Sequence, residues 1–493
     1  MRMEKSSLLS ALLLLLAILS GQCKKTHIEG DPFSICVHRN HQGRVSPSSV
    51  ETENCTPLAQ TIDLAGQFNN EDNSNSEMNN WVPRSSNVVC VDEFGAKGDG
   101  ENDDTKAFNN AWSKACSSAP AVFLVPHGKK YLVKPIKFSG PCKSALTMQV
   151  SGTIIAPADP RVWDGLNRRQ WLRFKEVDDL TVEGGGIFYG SGEQWWAESC
   201  KINKTNPCRP APTAITFELC NNLRVMNLIV QNSQQMHIKF RKCVGVKADN
   251  LKVLAPGHSP NTDGIHVSAS KDVVIKNTIT GTGDDCISIV SDSFNIYIEN
   301  ITCGPGHGIS IGSLGEGSAK ARVADVMVHG AFLHNTTNGL RIKTWQGSSG
   351  SARRILFQNV HMENVKHPII IDQYYCDSKK PCSNKTSAVK VSEVAYLNIK
   401  GTSASKEVMR FACSQTVPCE NILLADIDLT ATSGCTPTTY CENAIGCTTG
   451  SVSPHSCLQN YNQKGIFEFG IPVSIDRRKG KQEKKDYISH LQR

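Results

Sequence analysis

The 493-residue sequence lacks several features that would assign it to a common class of protein. After residue 19 it has no apolar run long enough to cross about 30 Å of hydrocarbon, so a soluble mature protein is expected. The glycine-rich segment from Phe94 to Gly100 lacks the Gly-Lys-Ser/Thr ending of a phosphate-binding loop, which favours a simple turn. Paired C-x2-C knuckles are also missing, which makes disulfides a better account of the 20 cysteines than zinc.

The body of the chain carries almost no excess charge. The formal net charge is +7, but seven basic and two acidic residues from Arg477 to Arg493 supply +5, and the N-terminal segment supplies +1. We therefore expect no nucleic-acid partner, and we assign residues 471–493 to a basic C-terminal tail. That tail is interpreted either as a solvated terminus or as a tether to a polyanion.

The N-terminus has the layout of a secretory signal peptide. A basic start, Met1 to Lys5, precedes an apolar run over residues 8–19 and then two small residues. A membrane anchor is the alternative, but about a dozen apolar residues are too few to span a bilayer. We predict a signal peptide over residues 1–22 and a polar arm, poor in large apolar residues, over 23–86.

Cysteine usage and glycosylation motifs also indicate an oxidising compartment. Nineteen cysteines follow Cys23, and several are close neighbours in the sequence. These neighbours are Cys200 and Cys208, Cys376 and Cys382, Cys413 and Cys419, and the group Cys435, Cys441, Cys447 and Cys457. Five glycosylation acceptors occur, at Asn54, Asn203, Asn300, Asn335 and Asn384. A secreted, disulfide-bonded glycoprotein is the consistent interpretation.

A short strand-like motif recurs three times with a constant offset. It begins at Asp263, Asp285 and His307, which are 22 residues apart, and each polar residue precedes an alternating apolar pattern. In a solenoid with one such strand per coil, equivalent positions stack about 4.8 Å apart, so these three side chains should form one row. A fourth strand follows, and its alternation should send Arg341 and Lys343 to the same outer face.

The chain after residue 150 consists of short β-rich stretches separated by Gly and Asn. Several stretches share an asparagine two positions after an apolar residue, as at Asn227, Asn277, Asn300 and Asn359. Stacked asparagines suit the turns of a parallel β-helix, where their amides satisfy turn backbone groups. A β-sandwich is the alternative, but sandwich strands do not keep positional register along the chain.

We therefore predict an all-β fold, a single-stranded right-handed parallel β-helix over residues 87–470. A short amphipathic helix from Thr105 to Cys116, capped by the acidic residues before it, should close the N-terminal end.

The row of acids implies acid and base chemistry. Two carboxylates about 5 Å apart repel by about 3 kcal/mol at an effective dielectric constant of about 20. Asp284, next to Asp285 on the chain, adds to this repulsion. One of the three acids should stay protonated while its neighbours ionise, which supplies the pair that glycoside hydrolysis requires. Taken alone, Gly283-Asp284-Asp285 is equally compatible with a carboxylate turn or a calcium site.

Four short motifs carry these residues in a fixed order. They are Asn261-Thr262-Asp263-Gly264, Gly283-Asp284-Asp285-Cys286, Gly306-His307-Gly308 and Arg341-Ile342-Lys343. In this order they resemble the polygalacturonases of glycoside hydrolase family 28, and the resemblance runs from about Asn87 to about Cys457. It implies a right-handed parallel β-helix and an inverting hydrolysis of α-1,4-linked galacturonan.

The resemblance also implies catalytic roles. Asp284 resembles the general acid that protonates the glycosidic oxygen, and Asp263 and Asp285 resemble the pair that activates water. Asn261 resembles their orienting neighbour. His307 resembles a residue that supports the protonation state of the acid.

Substrate-binding roles are implied in the same way. Arg341 and Lys343 resemble the cations that bind substrate carboxylates, a role that their charge and shared face also suggest. Tyr375 resembles the substrate-binding tyrosine, although a second tyrosine precedes it and leaves the register open. Cys286 and Cys303 resemble a disulfide of the family that brackets the catalytic coil.

These inferences predict a secreted, monomeric hydrolase of homogalacturonan in the cell wall. We expect it to act in endo mode, without cofactor or metal and without a membrane partner. His237 and His266 are left outside the predicted catalytic set, although His266 could border the cleft. The alternatives are an exo-polygalacturonase or a rhamnogalacturonan hydrolase of the same family, a calcium-dependent pectate lyase, and a non-catalytic polyuronide-binding solenoid.

Overall fold

The computed structural model describes residues 87–378 and 381–460. The predicted signal peptide, the polar arm and the basic tail lie outside these residues. The described part contains two α-helices, α1 (Thr105–Cys116) and α2 (Glu193–Ala197), and three short 3-10 helices, Val91–Phe94, Pro160–Trp163 and Glu316–Ser318. Among the described residues, no helix has the length and apolar composition needed to cross a bilayer.

Strands dominate the described residues. In chain order, β1 to β28 are Asn87–Cys90, Asp99–Asp103, Ala121–Val125, Lys130–Leu132, Ile136–Ser139, Leu146–Val150, Thr153–Ile155, Gln170–Lys175, Leu180–Glu183, Ile187–Tyr189, Thr213–Glu218, Asn221–Gln231, Ile238–Arg241, Val244–Leu254, Ile265–Ser268, Lys271–Gly281, Ile287–Ile289, Ser293–Cys303, Ile309–Leu314, Lys320–His334, Asn338–Trp345, Ser349–Val365, His367–Tyr375, Lys390–Ser403, Glu407–Ala412, Cys419–Ala431, Thr438–Glu442 and Ala444–Ser453.

These strands form two sheets whose pairs are parallel. Sheet B has 11 strands in the order β5, β8, β11, β13, β15, β17, β19, β21, β23, β25 and β27, and the other 17 strands form sheet A. From β11 onward the chain alternates between the sheets, so each turn of this part of the chain adds one strand to each sheet. This arrangement is a parallel β-helix, as the sequence predicts.

Alternation along each strand separates a core row from an outer row. Ile265, Ile287, Ile309, Leu340 and Ile369 are paired from strand to strand in sheet B and are all fully buried. Burial of one such side chain contributes about 1.5–3 kcal/mol. The pairing confirms the register that the offset of 22 residues predicts.

The predicted asparagine stack is present, but its bonding differs from the expectation. Asn227, Asn277, Asn300 and Asn359 have φ values of 53°, 50°, 53° and 57°, which bends the long strands of sheet A. The Asn300 amide donates to Asn277 Oδ1 at 2.7 Å, and the Asn250 amide donates to Asn227 Oδ1 at 2.8 Å. The amides therefore bond to one another between coils rather than to turn backbone.

Helix α1 has the predicted bounds, but its capping also differs in detail. The Asp104 carboxylate makes no cap hydrogen bond and instead accepts from the backbone N–H groups of Lys97 and Gly98, at 2.6 and 3.2 Å. Asp103 Oδ1 accepts from the Thr105 N–H at 3.0 Å. Asp104 thus fixes the glycine-rich turn that the sequence predicts, and Asp103 caps the helix.

Six disulfides join described residues. The predicted neighbours pair as Cys200–Cys208, Cys376–Cys382 and Cys413–Cys419, and the others are Cys116–Cys142, Cys286–Cys303 and Cys441–Cys457. This confirms the preference for disulfides over zinc.

Candidate active site

The candidate site lies on the outer face of sheet B, where loops lead into β15, β17 and β19. One outward column runs through His266, Ser288, Ser310 and Arg341, which are paired across β15, β17, β19 and β21. The predicted acids immediately precede these strands. Strand pairing therefore brings together residues that are up to 80 positions apart in the sequence.

Asp284 is the most exposed of the three acids, with 16% of its side chain accessible, against 11% for Asp263 and 3% for Asp285. Its Oδ1 accepts from the Asp285 N–H at 2.8 Å and lies 2.9 Å from His307 Nδ1. Its Oδ2 accepts from the Asn261 amide at 3.3 Å. Asn261 and His307 thus orient the acid that faces solvent.

Asp285 is held as a buried anion. Its Oδ1 accepts from Ser310 Oγ at 2.7 Å and from Arg341 at 2.6 Å, and its Oδ2 accepts from Lys343 Nζ at 2.9 Å. Burial alone would raise the pKa of Asp285, but Arg341 and Lys343 lower it below its ordinary value. The two cations that the sequence analysis assigned to substrate binding therefore hold the Asp285 carboxylate in this structure.

Asp263 has the opposite electrostatic environment. Burial, and then the charge of Asp284, raise the pKa of Asp263 above its ordinary value. Its Oδ2 accepts from Ser288 Oγ at 2.7 Å, and Ser288 in turn lies 2.8 Å from His266 Nδ1. Asp263 is thus the acid that binds its proton more tightly than an ordinary aspartate.

Ser288, Ser310 and His266 are site residues that the sequence analysis did not assign. Ser288 and Ser310 are 1% and 0% exposed and lie one strand from the acids to which they donate. The available signal was a polar residue at an outward position in an otherwise apolar strand.

His237 is fully buried, its Nδ1 is 3.0 Å from the Asp263 carbonyl oxygen, and burial lowers its pKa to about 4.

Two glycines allow the backbone to pack closely here. A Cβ on Gly283, just before Asp284, would lie 1.9 Å from the Ser259 carbonyl oxygen. Gly308, just after His307, has φ +81°, and a Cβ there would lie 2.2 Å from the Asn338 carbonyl oxygen. Neither position can hold a side chain unless the backbone next to Asp284 or His307 moves.

The structure places Tyr375, and not Tyr374, beside the acids. Lys343 Nζ lies 5.3 Å from the centroid of the Tyr375 ring, and Trp345 packs edge-on against that ring. Burial, and then the charge of Asp377, raise the pKa of Tyr375. The Tyr374 hydroxyl instead donates to the Cys413 carbonyl oxygen at 3.0 Å.

The coil that carries the acids is fixed covalently. Cys286 directly follows Asp285, and its disulfide with Cys303 joins the start of β17 to the end of β18. Both sulfurs belong to fully buried residues. The bond restrains the position of the Asp285 backbone.

Asp284, Asp285 and His307 are also grouped closely enough to ligate a metal ion, with ligand atoms within 4.8 Å of one another. However, the Asp285 carboxylate is already compensated by Arg341 and Lys343. A divalent cation at this position would be repelled by both side chains. The donor set fits a cation poorly.

The fold and the site together define a parallel β-helix of the hydrolase class with three clustered carboxylates on one face. The family model of the glycosyl hydrolases family 28 matches residues 116–457. The chain is 55% identical to a probable polygalacturonase of Arabidopsis thaliana over 77% of this chain and 86% of the relative, and 52% identical to polygalacturonase-2 of Solanum lycopersicum over 75% and 80%. The chain belongs to glycosyl hydrolases family 28.

Solved structures support the fold. An exopolygalacturonase from Thermotoga maritima superposes with a TM-score of 0.63 at 21% identity, covering 74% of this chain and 91% of that one. A polygalacturonase from Erwinia carotovora superposes with a TM-score of 0.59 at 21% identity, covering 76% and 100%. At these identities the likeness concerns the β-helix alone.

Proposed function

We propose that the protein hydrolyses the α-1,4-galacturonosyl linkages of homogalacturonan by an inverting acid–base mechanism. The observation that carries this proposal is the cluster of Asp263, Asp284 and Asp285 with Arg341 and Lys343 on one solvent-facing stripe. Carboxylates supply the acid and base, and the cations suit a substrate with a carboxylate on each sugar. Relatives at 52–55% identity that are named polygalacturonases support the same substrate class.

Asp284 is proposed as the proton donor, because it is the most accessible acid and its two oxygens are held by His307 and Asn261. Burial alone would lower the pKa of His307, but its hydrogen bond to Asp284 raises it. His307 Nδ1 lies 2.9 Å from Asp284 Oδ1, so the imidazole is placed to pass a proton to that oxygen as the glycosidic oxygen takes up the proton of Asp284.

Asp263 and Asp285 are proposed to activate the water. Asp285 stays ionised because of its two cations, and its Oδ2, which accepts one hydrogen bond from described residues, retains an acceptor position for the water. Asp263, with its raised pKa, can receive the proton that the water loses. The water attacks from one side and the glycosidic oxygen is protonated from the other, which inverts the configuration at the anomeric carbon.

A product assay separates this proposal from its alternatives. Purified enzyme and polygalacturonate should release reducing ends without any product that absorbs as an unsaturated uronide, with or without added calcium. Unsaturated product that depends on calcium would establish a lyase instead. Binding of polygalacturonate without any cleavage would establish the non-catalytic solenoid, and cleavage of rhamnogalacturonan alone would establish the other hydrolase.

Endo action is the proposed mode. Sizing the products at early times tests it, because an endo enzyme yields a spread of oligomers and an exo enzyme yields monomer. Acidic loops that block one end of the stripe would favour exo action. Viscosity measurements on the same samples would detect such exo action.

We also propose that the protein is secreted to the cell wall as a monomer with a cleaved signal peptide over residues 1–22. The six disulfides support an oxidising compartment. N-terminal sequencing and deglycosylation of protein from the extracellular fraction test this proposal. A mature N-terminus at Met1 would contradict it.

A further inference from the structure

A buried histidine that the proposed mechanism does not use contacts the backbone of Asp263. His237 is 0% exposed and directly precedes β13, in the coil before the one that carries Asp263. Its ring Nδ1 lies 3.0 Å from the Asp263 carbonyl oxygen, and its Nε2 lies 3.3 Å from the carbonyl oxygen of Leu254. Leu254 is the last residue of β14, and Asp263 lies just before β15. The imidazole therefore bridges the two ends of the loop over residues 255–264.

Only one of the two ring contacts is a hydrogen bond while the ring is neutral, because a neutral imidazole carries one N–H. Burial lowers the pKa of His237 to about 4, although hydrogen bonds to the backbone of Asp263, Leu254 and Thr262 act in the opposite direction. The shorter contact assigns the hydrogen to Nδ1, which then donates to Asp263. The Leu254 oxygen already accepts from the N–H of Asn232 at 2.8 Å, so it does not depend on the ring.

The Asp263 carbonyl oxygen receives two hydrogen bonds from the same residue. The backbone N–H of His237 donates to it at 2.8 Å, and the ring Nδ1 donates at 3.0 Å. A carbonyl oxygen has two lone pairs, so His237 uses both of them. These two bonds fix the direction of the Asp263 carbonyl and, because the peptide unit is planar, the orientation of the peptide that joins Asp263 to Gly264.

The same peptide is bonded on its other side to the next coil. The N–H of Gly264 donates to the Asp285 carbonyl oxygen at 2.9 Å, and a Cβ on Gly264 would lie 2.5 Å from the carbonyl oxygen of Cys286. The peptide is thus held between His237 and Asp285. The Asp263 side chain branches from the Cα that adjoins this peptide, so a rotation of the peptide moves the Asp263 carboxylate relative to Asp285.

The loop that carries Asp263 has further hydrogen bonds of its own. Ser259 Oγ and Thr262 Oγ1 are 2.7 Å apart and fully buried, and Thr262 Oγ1 accepts from the N–H of Gly283 at 3.0 Å. These bonds do not involve His237. We therefore expect the loop to keep its path without the imidazole, and the Asp263 peptide alone to change its orientation.

We propose that His237 is a positioning residue for the pair of acids that activates the water. Its Nδ1–H holds the Asp263 carbonyl and thereby sets the position of the Asp263 carboxylate relative to Asp285. This inference rests on the proposed function, which gives Asp263 its part in the reaction. His237 is fully buried, so it acts through Asp263 and not on the substrate. A displacement of about 1 Å at a reacting group can lower a rate about 100-fold, so the effect belongs in kcat.

The test compares two substitutions of similar size. His237→Asn places an amide nitrogen near the position of Nδ1 and keeps a donor for Asp263, whereas His237→Leu has no donor. Phe240→Leu is the control for a perturbed core, because Phe240 is fully buried on β13, where its ring stacks on that of Phe217. The measurements are kcat and KM on polygalacturonate and the midpoint of urea unfolding.

We expect His237→Leu to lower kcat about tenfold or more and to change KM less than about twofold. His237→Asn should keep kcat within about threefold of the wild type, because the bond to Asp263 is retained. Phe240→Leu should lower the urea midpoint and leave kcat unchanged. Equal kcat values in His237→Asn and His237→Leu would overturn the proposal, because the donor would then have no effect on the reaction.

A third substitution covers the case in which His237→Leu does not fold. His237→Gln carries its amide nitrogen near the position of Nε2, so it keeps a donor towards Leu254 and loses the donor towards Asp263. Its kcat should fall below that of His237→Asn by about tenfold or more, with KM unchanged. Equal kcat in His237→Gln and His237→Asn would overturn the proposal in the same way.

A double-mutant cycle separates positioning of Asp263 from general damage to the site. In Asp263→Asn the carboxylate is already absent, so addition of His237→Leu should not lower the residual kcat further. The same fold-loss in both backgrounds would overturn the proposal, because His237 would then act on another part of the site. A wild type that releases no reducing ends from polygalacturonate would refute the proposed function instead.

Discussion

Replacement of Lys343 by methionine tests how the acid centre is held, because it removes a charge and keeps most of the side-chain volume. Lys343 Nζ lies 2.9 Å from Asp285 Oδ2, and both side chains are buried. A charge-assisted hydrogen bond contributes about 1.5–3 kcal/mol. We expect Lys343→Met to lower the free energy of unfolding by that amount where Asp285 is ionised, because Arg341 still compensates the carboxylate.

Removal of both cations should lower the free energy of unfolding more than either single change. In Arg341→Met/Lys343→Met the Asp285 carboxylate keeps Ser310 as a donor but has no adjacent cation. An uncompensated buried charge costs about 3–5 kcal/mol, which is the loss expected in the double variant, and the double-mutant cycle gives the coupling between the two cations. Urea unfolding of the four proteins at one pH measures it.

The dependence on pH follows from the lowered pKa of Asp285. A carboxyl group with a lowered folded pKa stabilises the protein above its unfolded pKa, and that contribution is lost as pH falls through the folded pKa. Lys343→Met raises the pKa of Asp285. The acid limb of kcat and the midpoint of acid unfolding should therefore both move to higher pH.

The acid limb of kcat is measured as the release of reducing ends from polygalacturonate between acid and neutral pH. Lys343→Arg, which keeps the charge, is the control. The substrate titrates equally in every reaction, so the comparison with wild type isolates the enzyme. An acid limb that superimposes on the wild-type limb, with KM alone raised, would refute the reasoning. Lys343 would then act on the substrate and not on Asp285.

Three further outcomes are expected. Asp284→Asn should lower kcat about 100-fold or more with little change in substrate affinity, and retention of more than a tenth of wild-type kcat would reject Asp284 as the acid. The pKa of His307 is raised, so its protonated form is lost as pH rises through that pKa. His307→Gln should remove this loss of activity from the alkaline limb of kcat. An unchanged alkaline limb would contradict the proposed role of His307. Proton NMR of the first product should show the β anomer, and initial α anomer would indicate a covalent intermediate.

The sequence predicts much of the fold because the determinants are local and periodic. The offset of 22 residues between Asp263, Asp285 and His307 gave the register of β15, β17 and β19 without any knowledge of packing. Alternation alone placed Arg341 on the outer face and Leu340 in the core. These patterns are properties of one strand and its neighbours, so they can be read from one chain.

The contacts of the site depend on features that the pattern does not contain. The pairing of β21 with β23 shifts between Lys343 and Trp345, and this irregularity decides that Tyr375 rather than Tyr374 faces the acids. Lys201 Nζ donates to Asp377 Oδ1 at 2.6 Å, although the two residues are 176 positions apart and belong to two irregular loops. No periodic signal links such residues, since loops do not share the register of the strands.

The position of the proton is the part of the site that the sequence could least determine. In the sequence alone, the repulsion among three neighbouring aspartates is nearly the same for each of them. It therefore predicts that one acid is protonated but does not identify which one. The structure breaks the symmetry through burial and cations, because Arg341 and Lys343 lie on Asp285 whereas Asp263 lies against Ser288 and His266. Since the resting proton is favoured on Asp263 and the proposed donor is Asp284, the proposed mechanism needs a source of protons for Asp284 in each turnover, and His307 Nδ1, 2.9 Å from Asp284 Oδ1, is placed to supply them.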